Sequence, residues 1–331
     1  MIGISDLEYL CAEVRQIARK AGAFLRDERQ KFDRERVEEK SAHNYVSYVD
    51  KESERRLVEQ LSTLLPEAGF IAEEGSGSLT DEEYCWVIDP LDGTSNYIHD
   101  MAPYSVSIAL RDREELLLGV VYEVCRNECF YAWKGSKAYL DGKEIRVTDV
   151  AVLDKAFVAL GFPYDSDHYR PVAQKLVDRL YGYAGGTRLL GSAAAELCYV
   201  ACGRFDARIE GHLGPWDVAA GGLILMQAGG RLSDFAGGDT WPSAEQVMAS
   251  NGVIHDKILR LLYYCFYQCR YFLFQSFLRA FFRIRMIGIN MIAIQKRLIN
   301  IRVRDERFSG INALSACLSG IASECIFWAD R

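Results

Sequence analysis

Asp89 and Asp92 stand three positions apart in the sequence WVIDPLDGTSN, directly after an apolar run that is typical of a buried strand. Pro90 lacks a backbone N–H and favours extended geometry at the residue before it. Asp89 is therefore predicted at the end of a strand with its carboxylate projecting, and the Leu91 carbonyl in the turn that follows is free to bind a cation. The alternative is a β-hairpin with an Asp-Gly turn, which Pro90 disfavours.

The next residues, DGTS, indicate the start of a helix that could bind an anion. Asp92 is predicted to cap this helix, and Gly93 would let a ligand approach the backbone closely. The amides that follow, from Thr94 onward, would then face the anion.

Further acidic residues adjoin other predicted elements: Glu73 and Glu74 close the strand GFIA, Asp50 opens the helix KESERRL, and Asp217 opens the helix VAAGGLILMQA. Each alone has a structural explanation, as a solvated loop residue or a helix-capping acid. Together with the DPLDG turn they form a set of hard oxygen ligands, which suits Mg²⁺ and phosphoryl chemistry. Their spacing excludes an EF-hand, and the lack of His or Cys among them argues against zinc. Divalent cations would turn a cluster that repels phosphate into one that attracts it.

The elements that must position these acids alternate between helix and strand patterns. Helices are predicted over residues 5–29 and 49–65 and in YRPVAQKLVDRLYG, SAAAELCYVACG and PWDVAAGGLILMQAGG. Strands are predicted in GFIAEEG, YCWVIDP, YSVSIAL, ELLLGVVYEV, ECFYAW, AFVALGFP, TRLLG, FDARIE and QVMASN. An antiparallel block in the first half and alternation in the second predict a layered α+β or α/β architecture.

Composition narrows the class of protein. The net charge of −7 disfavours nonspecific nucleic-acid binding. Ten cysteines in 331 residues do not form a secreted disulfide framework. The pairs Cys125/Cys129, Cys198/Cys202 and Cys265/Cys269 have a spacing that could suit one helix face, and we expect buried structural thiols. The N-terminus reads as an amphipathic helix and not as a signal peptide, so a cytoplasmic location is expected.

Composition changes after Asp256. Residues 257–331 hold 12 Lys or Arg against 4 Asp or Glu, whereas residues 1–256 hold 27 against 42. We therefore predict a catalytic domain over residues 1–256 and a basic, aromatic extension over residues 257–331. Arginines interrupt its apolar stretches too often for a clean transmembrane span. Three alternatives remain: a membrane-surface helix, an oligomerisation arm, or an extension without a selected function, which we favour.

Three segments, AEEGS, WVIDPLDGTSNYIHDMAPYSVSIAL and GPWDVAAGGLILMQAGG, resemble the inositol monophosphatase family of Mg²⁺-dependent, lithium-sensitive phosphatases. The resemblance covers about residues 5–256, with the motifs in the family's order and spacing. It implies an αβαβα sandwich of the inositol monophosphatase and fructose-1,6-bisphosphatase type, usually a homodimer.

The resemblance also implies a metal centre with two or three Mg²⁺ ions. Glu73, Asp89 and the Leu91 carbonyl would bind the first ion, and Asp89, Asp92 and Asp217 the second. Glu73 would also help to hold a third, weaker ion. Two such ions lower the pKa of a bound water and stabilise the leaving alkoxide.

The resemblance also implies roles for the residues around the metal ions. Thr94, paired with Asp50 as its proton acceptor, would orient or activate the attacking water, and the Gly93 and Thr94 amides would hold the phosphate. Lys40 matches a basic residue near the site, whereas Asn44 replaces the family's usual acid.

The substrate-facing residues follow from the segments GSAAAE and FDARIEGHLGPWD. Gly191, Ser192 and Ala193 would touch the substrate ring, and Glu210 would bind a ring hydroxyl. Ser95 replaces the usual second Thr of the core motif.

The resemblance implies hydrolysis of inositol 1-phosphate or a related polyol or sugar monophosphate. Alternatives on the same fold are phosphatases of nucleotide 3′-phosphates, histidinol phosphate or fructose 1,6-bisphosphate. A further alternative is a regulator that binds a macromolecular partner, as some bacterial relatives do with the transcription machinery.

Overall fold

The computed structural model describes residues 2–41, 44–75, 82–163, 166–238 and 245–262, without the side chains at positions 41, 44 and 166–168. Cys265, Cys269 and most of the predicted C-terminal extension lie outside the described residues. Among the described residues, no helix combines the length and the apolar character that a membrane crossing requires.

The described helices and strands follow one another in mixed order. The α-helices are α1 (Ile4–Arg29), α2 (Tyr48–Leu64), α3 (Thr94–His99), α4 (Ser166–Leu180), α5 (Ala193–Ala201) and α6 (Pro215–Gln227). The strands of the first half are β1 (Val37–Ser41), β2 (Asn44–Ser47), β3 (Gly69–Ala72), β4 (Cys85–Asp92), β5 (Ser105–Arg111), β6 (Leu116–Glu123), β7 (Glu128–Trp133), β8 (Ala138–Leu140) and β9 (Lys143–Ile145). Those of the second half are β10 (Phe157–Leu160), β11 (Gly186–Arg188), β12 (Ala207–Gly211), β13 (Arg231–Ser233) and β14 (Gln246–Ser250). Short 3₁₀ turns occupy Arg34–Arg36 and Leu153–Lys155.

Two sheets carry the fold. The larger has the order β3-β4-β5-β6-β7-β8-β9, with β3 parallel to β4 and antiparallel pairs from β4 onward. The predicted antiparallel meander of β5, β6 and β7 is therefore confirmed. The smaller sheet has the order β11-β10-β12-β14-β13, with β10 parallel to β11 and β12. β1 and β2 form a separate antiparallel pair.

Three apolar cores hold five layers together. The first joins α1 and α2 to one face of the larger sheet, and the second joins its other face to α5, α6 and the smaller sheet. The third lies on the far face of the smaller sheet, where α4 and residues 254–262 pack. The layers form because each sheet has two apolar faces that must be covered. The resulting αβαβα sandwich confirms the predicted fold class.

Some local predictions were wrong. Asp92 does not cap α3: it is the last residue of β4, which continues past the predicted strand end at Asp89, and Gly93 is the N-cap of α3. The disfavoured alternative, an Asp-Gly hairpin, does not form, since α3 lies between β4 and β5. Cys125 and Cys129 do not share a helix face, because they lie in and after the β6–β7 turn, and Cys125 is exposed. The strand expected in TRLLG is limited to β11.

The predicted domain boundary falls within a helical stretch, residues 255–262. Ile258 and Leu262 in this stretch are fully buried in the third core.

Candidate active site

Asp89, Asp92 and Asp217 converge at the end of β4, where one carboxylate oxygen from each lies within 4.8 Å of the others. Successive residues of a regular strand face opposite sides, so acids three positions apart would diverge. Here the pairing of β4 with β5 is irregular: Asp89 faces Ser107 and Asp92 faces Ser105. The extra residue on β4 acts as a β-bulge and returns both carboxylates to one side. Asp217 joins them from the first turn of α6.

These three carboxylates lie close together in a poorly solvated place. Asp89 is 1% exposed, and burial together with Glu73, Asp92 and Asp217 raises its pKa well above the ordinary value. Burial also raises the pKa of Asp217, and the nearby Asp92 and Glu73 add to it. Mutual repulsion of this kind is relieved by a divalent cation, and the donors are the hard oxygens that Mg²⁺ prefers. The cluster could therefore hold a metal ion.

Asp92 also fixes the start of α5. Its carboxylate accepts hydrogen bonds from the Ala193 and Ala194 amides, at 3.0 and 2.9 Å, and from the Ser192 and Ser105 hydroxyls. An acid at a helix N-terminus is favourable because of the free amides and the helix dipole. Ser192 is 1% exposed, and its hydroxyl bonds Asp92. The neighbouring Gly191 and Ala193 line the cavity.

Thr94 and Asp50 meet beside this cluster. The Thr94 hydroxyl lies 2.9 Å from Oδ1 of Asp50 and 3.1 Å from the Leu91 carbonyl. Oδ2 of Asp50 accepts hydrogen bonds from the Ser47 amide and hydroxyl, at 2.9 and 2.6 Å, as a capping box of α2. Burial raises the pKa of Asp50, and the hydrogen bonds from Ser47 and Thr94 oppose that rise.

Gly93 brings three chain segments together. Its φ of +93° lies in the left-handed region, and a Cβ there would stand 3.1 Å from both the Gly191 and the Pro103 carbonyl oxygens. Only glycine meets both demands without strain. Asn96 ties the same segments by donating to the Pro103 and Leu190 carbonyls at 2.7 and 2.6 Å.

Lys40 bridges two acids at the edge of the site, 3.1 Å from Glu73 and 2.6 Å from Glu74. Burial raises the pKa of Glu74 to about 7, although Lys40 opposes the rise. The Glu74 amide donates to the Glu54 carboxylate at 2.7 Å. Sequence reasoning missed Glu54, which could have been found because it stands one helical turn after Asp50 on α2. The Asn44 side chain lies outside the described residues.

Glu210 lines the cavity from β12 and contacts the buried Arg208, which also pairs with Glu196 at 3.0 Å. Sequence reasoning missed Arg208 and Glu196. The sequence held one signal for Arg208: positions 208 and 210 of a strand share a face, so Arg208 could be expected beside Glu210.

A cavity of about 520 Å³ joins these groups. Its predicted site residues in the lining are Glu73, Asp89, Leu91, Asp92, Gly93, Thr94, Gly191, Ala193, Glu210 and Asp217. Ser95 also lines it, and the apolar and aromatic lining residues include Tyr45, Leu160, Phe162, Leu189, Leu213 and Trp216. The lining of the cavity therefore offers both carboxylates and apolar surface.

Known proteins are similar to this chain in sequence and in fold. A model of the inositol monophosphatase family matches residues 6–265. The chain is 38% identical over 236 residues to Nus factor SuhB of Escherichia coli (strain K12), covering 71% of this chain and 88% of that protein. Extragenic suppressor protein suhB from Bartonella henselae superposes with a TM-score of 0.71 at 33% identity, covering 75% of this chain and 95% of that one.

A second solved structure, the inositol monophosphatase from Anabaena (Nostoc) sp. PCC 7120, superposes with a TM-score of 0.70 at 32% identity, covering 78% of this chain and 96% of that one. The family match extends nine residues beyond the predicted boundary at Asp256 and includes the buried Ile258 and Leu262. On both sequence and fold, the chain belongs to the inositol monophosphatase family.

Proposed function

We propose that the protein is a Mg²⁺-dependent phosphomonoesterase that hydrolyses inositol 1-phosphate, or a related polyol or sugar monophosphate, to the alcohol and phosphate. One observation carries the proposal: Asp89, Asp92, Asp217 and Thr94 line a single cavity, and the Thr94 hydroxyl is hydrogen-bonded to the buried Asp50 behind it. Membership of the family supports the same reaction class.

The proposed metal centre takes its ligands from these residues. Glu73, Asp89 and the Leu91 carbonyl would hold one Mg²⁺ ion and Asp89, Asp92 and Asp217 a second, with Glu73 also near a third. The pKa values of Asp89 and Asp217 support binding of a cation by these carboxylates. Burial is the larger cause of the raised values, and repulsion between the neighbouring carboxylates adds to it. When bound, Mg²⁺ lowers the pKa of water and stabilises negative charge on the leaving oxygen.

Thr94 and Asp50 would handle the proton of the attacking water. Because the Thr94 hydroxyl donates to Asp50, a lone pair on Oγ1 is free to accept a hydrogen bond from water. The two further hydrogen bonds from Ser47 favour the ionised form of the Asp50 carboxylate, which is the form that accepts a proton, whereas burial raises its pKa. The water oxygen forms the new bond to phosphorus as the bond to the alcohol oxygen breaks. The attacking water gives up one proton through Thr94 to Asp50, and the alcohol oxygen takes up one proton, so that the number of protons is unchanged.

Binding of the substrate would divide between a phosphate site and a ring site within the cavity. The Gly93 and Thr94 amides would hold the phosphate, and Lys40 supplies positive charge near Glu73. Gly191, Ser192 and Ala193 would shape the ring site, with Ser192 acting through Asp92. Glu210 would accept a hydrogen bond from a ring hydroxyl.

A phosphate-release panel tests the proposed substrate. It compares myo-inositol 1-phosphate, fructose 1,6-bisphosphate, histidinol phosphate and adenosine 3′,5′-bisphosphate with and without Mg²⁺. We expect the highest kcat/KM for the inositol ester and no release without Mg²⁺. Clearly better turnover of adenosine 3′,5′-bisphosphate would overturn the choice of substrate and leave the reaction class intact.

A second candidate function is binding of a macromolecular partner as a regulator. One observation favours it: the relative at 38% identity is named a Nus factor. Complementation of a strain that lacks the native copy, by the wild type and by a catalytically inactive variant, separates the two functions. Rescue by the inactive variant would support the regulator.

We also propose that the chain acts as a cytoplasmic homodimer, as is usual for the family that it belongs to. Light scattering of the full chain tests the dimer, with a monomer contradicting it.

A further inference from the structure

Glu210 occupies a confined place at the wall of the cavity. Its carboxylate lies directly over Gly161, where an added Cβ would stand 1.9 Å from the Glu210 Cδ. The Gly161 amide donates to the Ile209 carbonyl at 2.9 Å, which fixes this backbone against β12. Close approach of the carboxylate therefore depends on the missing side chain of Gly161.

Arg208 holds the same carboxylate from within the protein. Its guanidinium is fully buried, and Nη2 donates to Oε2 of Glu210 while Nε donates to Oε2 of Glu196 at 3.0 Å. Within the described part of the chain, Nη1 of Arg208 is buried without a hydrogen-bond partner. An incompletely satisfied buried charge is costly and is weak grounds for a stabilising role. A role in positioning Glu210 accounts for the retained charge.

Glu196 fixes Arg208 in turn. It is 1% exposed, lies in α5, and accepts a hydrogen bond from the Leu190 amide at 2.9 Å through its second oxygen. Leu190 precedes Gly191, which lines the cavity. One buried acid thus ties the guanidinium to the segment that borders the proposed ring site.

We propose that Arg208 and Glu196, with the space left by Gly161, position the Glu210 carboxylate so that the cavity selects phosphate esters of polyhydroxylated alcohols. The inference rests on the proposed function. Burial raises the pKa of Glu210 to about 7, and Arg208 opposes that rise, which favours the ionised acceptor. A fixed buried acceptor rejects an ester that lacks the matching hydroxyl more strongly than an apolar wall does.

The test is the ratio of kcat/KM for myo-inositol 1-phosphate to kcat/KM for p-nitrophenyl phosphate, an ester without hydroxyl groups. Glu196→Gln combined with Arg208→Met removes both buried charges together, and so leaves no unpaired charge on either residue. Gly161→Ala pushes the Glu210 carboxylate aside without altering any charge. Glu210→Gln measures the loss of the acceptor itself.

We expect the ratio to fall about tenfold or more in the double variant and in Gly161→Ala, towards the value for Glu210→Gln. Adding Glu210→Gln to the double variant should cause little further loss, because the three residues act as one unit. Arg204→Met, which breaks the ion pair with Glu128 at the other end of α5, is the matched control and should leave the ratio unchanged. A ratio within about twofold of wild type in both the double variant and Gly161→Ala would overturn the inference.

Failure of the proposed function gives a different result. If the wild type does not prefer the inositol ester, the proposed substrate is wrong, but the positioning of Glu210 by Arg208 is not yet contradicted. Crystal structures of the double variant then decide: a Glu210 carboxylate displaced by about 1 Å or more supports positioning by Arg208, and an unmoved carboxylate overturns it.

Discussion

The Thr94 hydroxyl donates to Oδ1 of Asp50 over 2.9 Å, linking the first residue of α3 to the first turn of α2 across 44 positions of sequence. Ser47 holds the other oxygen of the same carboxylate through two hydrogen bonds. A fixed acceptor thus faces the Thr94 hydroxyl before any substrate arrives, which is the kind of preorganisation that proton transfer requires.

Removal of this hydroxyl should cost activity. Thr94→Val keeps the shape of the side chain and removes the donor, and we expect kcat to fall about 100-fold. Thr94→Ser retains the hydroxyl and should keep most of the activity. Steady-state phosphate release at saturating Mg²⁺ measures both, and a Thr94→Val enzyme with wild-type kcat would refute the proposed role.

Mg²⁺ should stabilise the folded protein through the three aspartates. Ligand at about 100 times its Kd adds about 2.7 kcal/mol to the free energy of unfolding. In Asp217→Asn the gain should shrink, while stability without Mg²⁺ should hold or rise because one repelling charge is gone. Thermal unfolding with EDTA and with Mg²⁺ measures the gain. Asp256→Asn, which alters a surface ion pair with Arg231, is the control and should keep the wild-type gain.

His255 should make stability fall in mild acid. It is fully buried between the Ser233 and Ser250 hydroxyls, each 2.9 Å from a ring nitrogen, and burial lowers its pKa from 6.5 to about 4. Between these values the unfolded chain binds the extra proton, so its contribution is complete above pH 6.5 and is lost as the pH falls towards 4. The slope is at most about 1.4 kcal/mol per pH unit.

Urea unfolding of the wild type and of His255→Gln between pH 7 and 5 checks this account. The variant should show a smaller change in unfolding free energy with pH. Equal pH dependence in both proteins would rule out His255 as its source.

Truncation should locate the end of the folded domain. We propose that it extends beyond the predicted boundary at Asp256, because Ile258 and Leu262 are fully buried. A chain ending at residue 265 should keep wild-type kcat/KM, whereas one ending at Asp256 should lose several kcal/mol of unfolding free energy, about 2–5 for each large buried aliphatic side chain. Equal stability of the two chains would show that these contacts contribute little.

Local signals made much of the site predictable. The start of an apolar helix placed Asp217 correctly, because that signal depends on neighbours in the sequence. Pro90 predicted a strand end at Asp89, but β4 continues past it through a bulge to Asp92.

Asp92 shows the limit of such reasoning. Its position before Gly93, Thr94 and Ser95 predicted a helix cap. The N-cap of α3 is instead Gly93, in the left-handed conformation, so the helix starts one residue later than predicted. The carboxylate instead reaches across to the amides of α5, about one hundred positions away.

The supporting contacts could not be predicted for the same reason. Arg208 reads as an ordinary strand residue, and its buried pairing with Glu196 arises only when α5 packs beside β12. The bulge that turns Asp89 and Asp92 to one side is likewise visible only once β4 pairs with β5. Residue types predicted the chemistry, whereas tertiary packing determines the geometry.

The most direct test of the metal-dependent phosphatase is phosphate release from myo-inositol 1-phosphate by the wild type and Asp92→Asn, across a Mg²⁺ titration. Circular dichroism of both proteins first establishes that the variant is folded, since Asp92 also holds α5. We predict Mg²⁺-dependent release by the wild type and a kcat at least about 100-fold lower in Asp92→Asn, as expected for loss of a metal ligand. Near-normal turnover by the variant with unchanged Mg²⁺ dependence would contradict the account.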